Sequence, residues 1–107
     1  MAKIICNAIS YNMMLPHLSH WNLRNEVISA EKVKDELGEE FINACGHSCE
    51  LINSLTGLSL EKNRITNKVD IGDVLIIAQY NGPRLEEGAT SLPEGATLVF
   101  VKSTVEA

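Results

Sequence analysis

The segment between Ala44 and Glu50, ACGHSCE, places one histidine between two cysteines. Three kinds of chemistry suit it: metal binding, attack by a thiolate, and proton transfer by the imidazole. A zinc site usually has paired Cys-x-x-Cys ligands, whereas the spacing here is Cys-x-His-x-Cys, and only Cys6, His17 and His20 could add soft ligands. A thiol nucleophile needs a base and a positive environment, and Cys45 is explained more simply as a small apolar residue ending the segment FINAC. A histidine that only caps a helix is the simplest interpretation.

A second charged stretch, RLEEG, covers residues 84–88 and follows the most apolar segment of the chain. Ligand sites of α/β proteins are often built where such a strand ends. In a loop that begins with Gly82-Pro83, charges are by default solvated. If the loop instead folds over His47, Arg84 would hold a phosphate, while His47 and Glu87 would move or orient protons.

Alternating strands and helices must position these residues. Helices are predicted after Ser29, ending at Gly38, and after Gly46, ending at Gly57. Val74–Tyr80 is a continuous apolar run, which predicts a strand buried on both faces. The other predicted strands are Lys3–Ala8, Leu23–Ile28, Thr97–Lys102 and, more weakly, Ile65–Val69. The interleaving predicts an α/β fold with a mixed, roughly five-stranded sheet flanked by helices.

Size and composition limit the possible classes of protein. A chain of 107 residues is expected to form a single domain, residues 1–107. Neither a membrane span nor a signal peptide is indicated, and three cysteines without disulfide spacing fit a reducing cytoplasm. The net charge of −5 argues against binding duplex DNA, which depends on phosphate neutralisation.

Short motifs along nearly the whole chain are similar to those of one family in order and spacing. These motifs are Asn7-Ala8-Ile9-Ser10, Asn12-Met13, Phe41–His47, Leu51–Gly57, Asn63-Arg64, Gly72-Asp73 and Arg84–Gly88. The family resembled is that of the viral ring nucleases, the type III anti-CRISPR enzymes, first known as a domain of unknown function from archaeal viruses. No single motif is specific to that family, whereas the order and spacing of the motifs together are.

The resemblance implies cleavage of cyclic tetra-adenylate, the second messenger of type III CRISPR systems, by a homodimer without a metal or other cofactor. The ribose 2′-hydroxyl attacks the adjacent phosphorus, and the 5′-oxygen leaves. By resemblance His47 is the general acid, Arg84 contacts the phosphate, and Glu87 assists proton transfer or orients the hydroxyl. Residues expected near the ligand are Asn7, Ser10, Asn12, Arg64 and Gln79. The cysteines are then packing neighbours.

Two other classes of function stay open from the sequence. One is a non-catalytic binder of nucleotides or nucleic acid, although the acidic balance and the lack of interleaved basic and aromatic residues argue against it. The other is an interaction protein that occludes a host factor. The loop Gly82 to Glu94 is further predicted to be poorly ordered or open without ligand and to close across the dimer groove on binding, because it is rich in small residues.

Overall fold

The computed structural model describes residues 1–107 and contains five strands and two α-helices. The strands are β1 (Lys3–Cys6), β2 (Asn22–Ile28), β3 (Ile42–Ala44), β4 (Val74–Asn81) and β5 (Thr97–Glu106). The helices are α1 (Ala30–Leu37) and α2 (Cys49–Thr56), and Tyr11–Met13 forms a short 3-10 turn. All five strands join one mixed sheet in the order β2-β5-β4-β1-β3. The predicted fold class is therefore confirmed.

The direction of the strands decides where a site can form. β1 runs parallel to both β3 and β4, whereas β5 runs antiparallel to β4 and β2. Cys6 at the end of β1 pairs with Ala44 at the end of β3 and with Ile77 of β4. The carboxyl ends of three parallel strands therefore meet at one edge of the sheet, which we call the carboxyl edge.

The sheet separates two hydrophobic clusters, and β4 contributes to both. Val74–Ala78 is buried throughout, as its continuous apolar run predicted. The two helices cover one face of the sheet, with Val33 and Leu37 of α1 and Ile52 of α2 in the cluster there. An irregular segment between β1 and β2 covers the other face with Met13, Met14, Leu18 and Trp21. No helix has the length and apolar character that a membrane span requires.

The start of α1 and the last residues of both helices agree with the sequence signals, whereas α2 starts later than predicted. Ser29 precedes α1, and Gly38 and Gly57 follow the two helices with φ angles of 72° and 79°. These positive φ angles favour glycine, which is why each helix stops there. The second helix begins at Cys49, so the Gly46-His47-Ser48 segment is a loop that leads into the helix.

One predicted strand was wrong, and one observed strand was not predicted. Ile65–Val69 is not a strand, because its backbone pairs with no sheet neighbour; the Val69 amide donates instead to the Met13 carbonyl at 2.8 Å. β3 was not predicted, since three residues are too few to show a period. The outer edge of β3 is covered by side chains: Asn43 donates to the Glu61 carbonyl (2.6 Å) and Asn63 donates to the Asn43 carbonyl (2.8 Å).

Candidate functional site

A cleft of about 180 Å3 opens at the carboxyl edge, beyond the ends of β1 and β3. Three segments form its walls: the residues after β1, the loop before α2, and the irregular segment between α2 and β4. Four of the residues predicted for the site line this cleft, and they are Asn7, Ser10, His47 and Arg64. The fold thus brings together residues that are up to 57 positions apart in the sequence.

His47 is exposed at the mouth of α2. Its Nδ1 lies 2.8 Å from the Ser48 hydroxyl, which leaves Nε2 without a partner in the chain. Ser48 adopts the left-handed conformation (φ 61°, ψ 20°), and its carbonyl accepts a hydrogen bond from the Ile52 amide at 3.0 Å. The first N–H groups of a helix have no intrahelical acceptors and attract anions. An imidazole next to such a helix end can act on a bound phosphate.

Asn7 holds the loop that carries His47. Its Oδ1 accepts hydrogen bonds from the Gly46 amide (2.8 Å) and the His47 amide (3.2 Å). Its Nδ2 donates to the His47 carbonyl at 3.1 Å. The resemblance had implied a ligand contact for this residue, whereas in the structure most of its hydrogen-bonding capacity is directed at the chain itself.

Arg64 supplies positive charge beside His47. Its Nη2 donates to the Gly46 carbonyl at 3.4 Å, and it forms no salt bridge. A Cβ atom at position 46 would lie 3.2 Å from Cγ of Arg64, closer than side chains normally pack. Glycine at position 46 therefore lets the arginine stem lie against the backbone, and the guanidinium has no acidic partner.

The other four predicted residues do not line the cleft. Asn12 is exposed in the 3-10 turn, and Gln79 is exposed near the end of β4. Arg84 and Glu87 are exposed in the connection between β4 and β5, residues 82–96, and neither forms a salt bridge. This connection starts at the carboxyl edge, because it follows β4.

The connection between β4 and β5 is attached to α2. The Ser54 hydroxyl donates to the Thr90 carbonyl at 2.6 Å. Where the connection leaves β4 and returns to β5, Gly82 packs so tightly against Ala96 that an added Cβ would lie 2.6 Å from Cβ of Ala96. Residue 54 lies about 9 Å along the helix from residue 48. The attachment therefore lies in the second half of α2, about 9 Å along the helix from the residue next to His47.

The cysteines of the ACGHSCE segment do not form a reactive centre with His47. All three cysteines of the chain are buried. Burial raises the pKa of the Cys6 thiol to about 11 and that of Cys45 to about 12, and it also raises the pKa of Cys49. The thiolate population near neutral pH is therefore small. No group of three or more His, Cys, Asp or Glu side chains is arranged to hold a metal ion.

Sequence reasoning missed several residues that shape the cleft. Thr66 and Asn67 line it from the irregular segment. Lys68 ties two of its walls together, because its Nζ donates to the carbonyls of Asn12 (2.6 Å) and Leu15. These residues carry no periodic signal, so only the fold reveals them.

Comparison with known proteins identifies the family. No curated protein matches the sequence. The structure is similar to that of B116 of Sulfolobus turreted icosahedral virus (STIV), with a TM-score of 0.71 and 25% sequence identity. The similarity covers 97% of this chain and 99% of the viral protein. The family model described as STIV B116-like matches residues 3–97. The chain therefore belongs to the STIV B116-like family, an archaeal-virus family named after that protein.

Proposed function

We propose that the protein is a ring nuclease that cleaves cyclic tetra-adenylate and so suppresses type III CRISPR signalling. The observation that carries this proposal is one cleft that holds an exposed imidazole, His47, and a guanidinium without a salt bridge, Arg64, next to the loop that leads into α2. A proton donor, a fixed cation and free backbone N–H groups are what cleavage of a phosphodiester by its own 2′-hydroxyl requires. The resemblance of the sequence motifs to viral ring nucleases supplies the substrate.

The reaction needs few groups. The ribose 2′-oxygen forms a bond to the adjacent phosphorus, and the bond from phosphorus to the 5′-oxygen breaks. Nε2–H of the His47 imidazolium donates its proton to the leaving 5′-oxygen, while Nδ1–H donates to the Ser48 hydroxyl. The proton of the 2′-hydroxyl passes to Glu87 or through it to solvent. The product is a linear chain with a 5′-hydroxyl and a 2′,3′-cyclic phosphate.

The charge that develops on the phosphorane needs donors that are already in place. Arg64 lines the cleft, the first amides of α2 follow the loop that carries His47, and Arg84 would approach from the connection between β4 and β5. Such donors can serve in place of a metal ion, so the proposed reaction is metal-independent. Asn12 and Gln79 would contact the ring outside the cleft.

A homodimer fits a ring of four nucleotides. Such a ring has approximate two-fold symmetry, and an isologous dimer presents the same patch twice. Each protomer offers one cleft with one histidine, so two protomers would present two His47 side chains to one ring. Because the messenger is made inside the cell, the proposal also places the protein in the cytoplasm.

Incubation with labelled cyclic tetra-adenylate tests this function. We expect linear products from the natural protein and, for His47→Ala, turnover lower by roughly a hundredfold or more with ligand binding retained. His20→Ala is the matched control, because His20 is exposed and bonds only to its neighbour Ser19. Near-natural cleavage by His47→Ala would contradict the mechanism.

The same assay separates the other classes of function. Retention of the ring without cleavage would indicate a nucleotide-binding protein, and neither retention nor cleavage would indicate an interaction protein. Chelators are expected to leave the activity unchanged. Loss of activity with EDTA and its recovery with zinc or manganese would contradict the metal-independent reaction.

A further inference from the structure

Asn7 uses nearly all of its side-chain hydrogen-bonding capacity on two residues that are 39 and 40 positions away. An asparagine oxygen can accept two hydrogen bonds, and its nitrogen can donate two. Oδ1 accepts from the Gly46 and His47 amides, and Nδ2 donates to the His47 carbonyl. One N–H of the side chain is all that remains for a ligand.

The loop before α2 has few other constraints on its backbone. The amides of Gly46 and His47 make no hydrogen bond to any backbone carbonyl. The preceding amide, that of Cys45, also donates to a side chain, the Asn43 oxygen at 2.9 Å. Pairing between β1 and β3 ends at Cys6 and Ala44. Asn7, the residue after Cys6, therefore links the chain beyond β1 to Gly46 and His47, which lie two and three residues beyond the end of β3.

The clamp acts on the residue that the proposed chemistry depends on. Both backbone groups of His47 bond to the same amide side chain, which fixes the plane of the chain from which the imidazole projects. The next residue, Ser48, has a left-handed conformation that is unfavourable for a residue with a Cβ atom. Such a conformation persists only where the surrounding structure determines it.

We propose that Asn7 is a positioning residue for His47 rather than a contact for the ligand. The role rests on the proposed function, because it gives His47 its task, but the clamp itself exists without ligand. Displacing a catalytic group by about 1 Å can lower a rate by roughly a hundredfold. Loss of the clamp therefore acts on the chemical step and leaves the affinity for the ring nearly unchanged.

Two substitutions separate the two halves of the clamp. Asn7→Ala removes both the acceptor and the donor. Asn7→Asp keeps an acceptor for the Gly46 and His47 amides and loses only the donor to the His47 carbonyl. Asn22→Ala is the control, because Asn22 lies on β2, at the opposite edge of the sheet from β3, and bonds to the Ala107 carbonyl.

The first measurement is amide hydrogen exchange of Gly46 and His47 in the protein without ligand. We expect exchange at both amides to become roughly tenfold faster or more in Asn7→Ala and to stay near the natural rate in Asn7→Asp and Asn22→Ala. Unchanged exchange in Asn7→Ala would overturn the clamp. If Asn7→Ala does not fold, Asn7→Ser, which offers only a short hydroxyl, takes its place.

The second measurement is the separation of kcat from KM with cyclic tetra-adenylate. We expect Asn7→Ala to lower kcat by roughly a hundredfold with little change in KM, and Asn7→Asp to recover part of the loss. A raised KM with kcat unchanged would overturn the positioning role and restore a ligand contact. If the natural protein does not cleave the ring, the proposed function fails, and the positioning role fails with it, while the exchange experiment still reports the clamp.

Discussion

Ser48 is the only residue other than glycine with a positive φ angle, and it separates His47 from α2. Its side chain forms no capping bond to the helix, although serine at this position usually does. The hydroxyl instead lies 2.8 Å from Nδ1 of His47. With Nδ1 held, Nε2 is the nitrogen left to face a substrate. We interpret Ser48 as a residue that orients the His47 imidazole and whose backbone is strained in doing so.

Two substitutions of Ser48 are expected to differ in stability but to agree in activity. Ser48→Ala removes the hydroxyl and keeps the strain, whereas Ser48→Gly removes both. Because a left-handed residue with a Cβ atom is unfavourable by about 1–2 kcal/mol, denaturant unfolding should show Ser48→Gly to be more stable than Ser48→Ala by about that amount. Both should lower turnover by roughly tenfold, the value of one hydrogen bond. Turnover equal to that of the natural protein in Ser48→Gly would show that the Ser48 hydroxyl does not orient the His47 imidazole.

At this scale the sequence indicates residue types but not partners. The residues around His47 argued against zinc and against a thiol nucleophile but left a helix-capping histidine as the simplest interpretation, and its role as general acid came from the resemblance to the viral ring nucleases. The role of Asn7 could not be derived, because its partners lie 39 and 40 positions away and depend on the pairing of β1 with β3. The same holds for Lys68, whose bonds reach back to the 3-10 turn.

At the scale of elements, one ion pair connects α1 to the sheet. Glu36 Oε2 lies 2.8 Å from Nζ of Lys102 on β5. The hydrogen bond from Lys102 lowers the pKa of Glu36, and the hydrogen bond to Glu36 raises the pKa of Lys102. Because the carboxyl pKa of Glu36 is lowered on folding, the pair stabilises the fold at pH values above the ordinary pKa of 4.5. This stabilisation is lost as the pH falls through the folded-state pKa. Because the pKa of Lys102 is raised on folding, its contribution to stability is fully present at pH values below 10.5. This contribution is lost as the pH rises through the folded-state pKa.

Glu36→Gln is therefore expected to destabilise the protein only within that window. Near neutral pH the free energy of unfolding should fall by about 0.2–1 kcal/mol, the usual value for a partly exposed pair. Well below the folded-state pKa of Glu36, where the carboxyl group is protonated in either state, the natural protein and the variant should converge. Glu39→Gln is the control, because Glu39 forms no ion pair. A loss that is equal at both pH values would mean that packing, not charge, explains the effect.

The elements that could be predicted are those with a local signal. β4 is recognisable from five consecutive apolar residues, all of which are buried in the structure. Both helices are followed by a glycine, and each of these glycines has a positive φ angle. Ile65–Val69 has the composition of a strand, but it pairs with no strand of the sheet, and Ile65 is exposed. β3 exists because β1 offers a free edge to three residues. In both cases the tertiary surroundings, not the propensity, decide the structure.

At the scale of the whole molecule, the candidate site is divided between two parts of the carboxyl edge. Asn7, Ser10, His47 and Arg64 line the cleft, whereas Arg84 and Glu87 lie on the connection between β4 and β5. Local sequence patterns cannot predict this division, because it depends on the order of the strands. The connection is held at Gly82 by Ala96 and at Thr90 by Ser54, and the stretch with the two charged residues lies between these points. That stretch can move without breaking the sheet.

We predict that residues 82–94 close over the cleft when the ring binds. Long loops with small residues often exclude water from a site in this way. Amide exchange of the loop should slow when a non-cleavable analogue of cyclic tetra-adenylate is added. Arg84→Ala should weaken binding by about 1.5–3 kcal/mol, the value of a charge-assisted hydrogen bond. Arg24→Ala, on the edge strand β2, is the control for the loss of a positive charge.

The two readouts of this experiment distinguish closure from simple attraction. If Arg84 acts only as a distant positive charge, Arg84→Ala will weaken binding by an amount that vanishes at high salt, and the exchange of the loop will not respond to the analogue. If the loop closes, protection should appear around Arg84 and Glu87 together, because one rigid movement carries both. Should protection stay unchanged on binding, Glu87 loses its proposed part in the proton transfer, and His47 would have to work with a base from solvent.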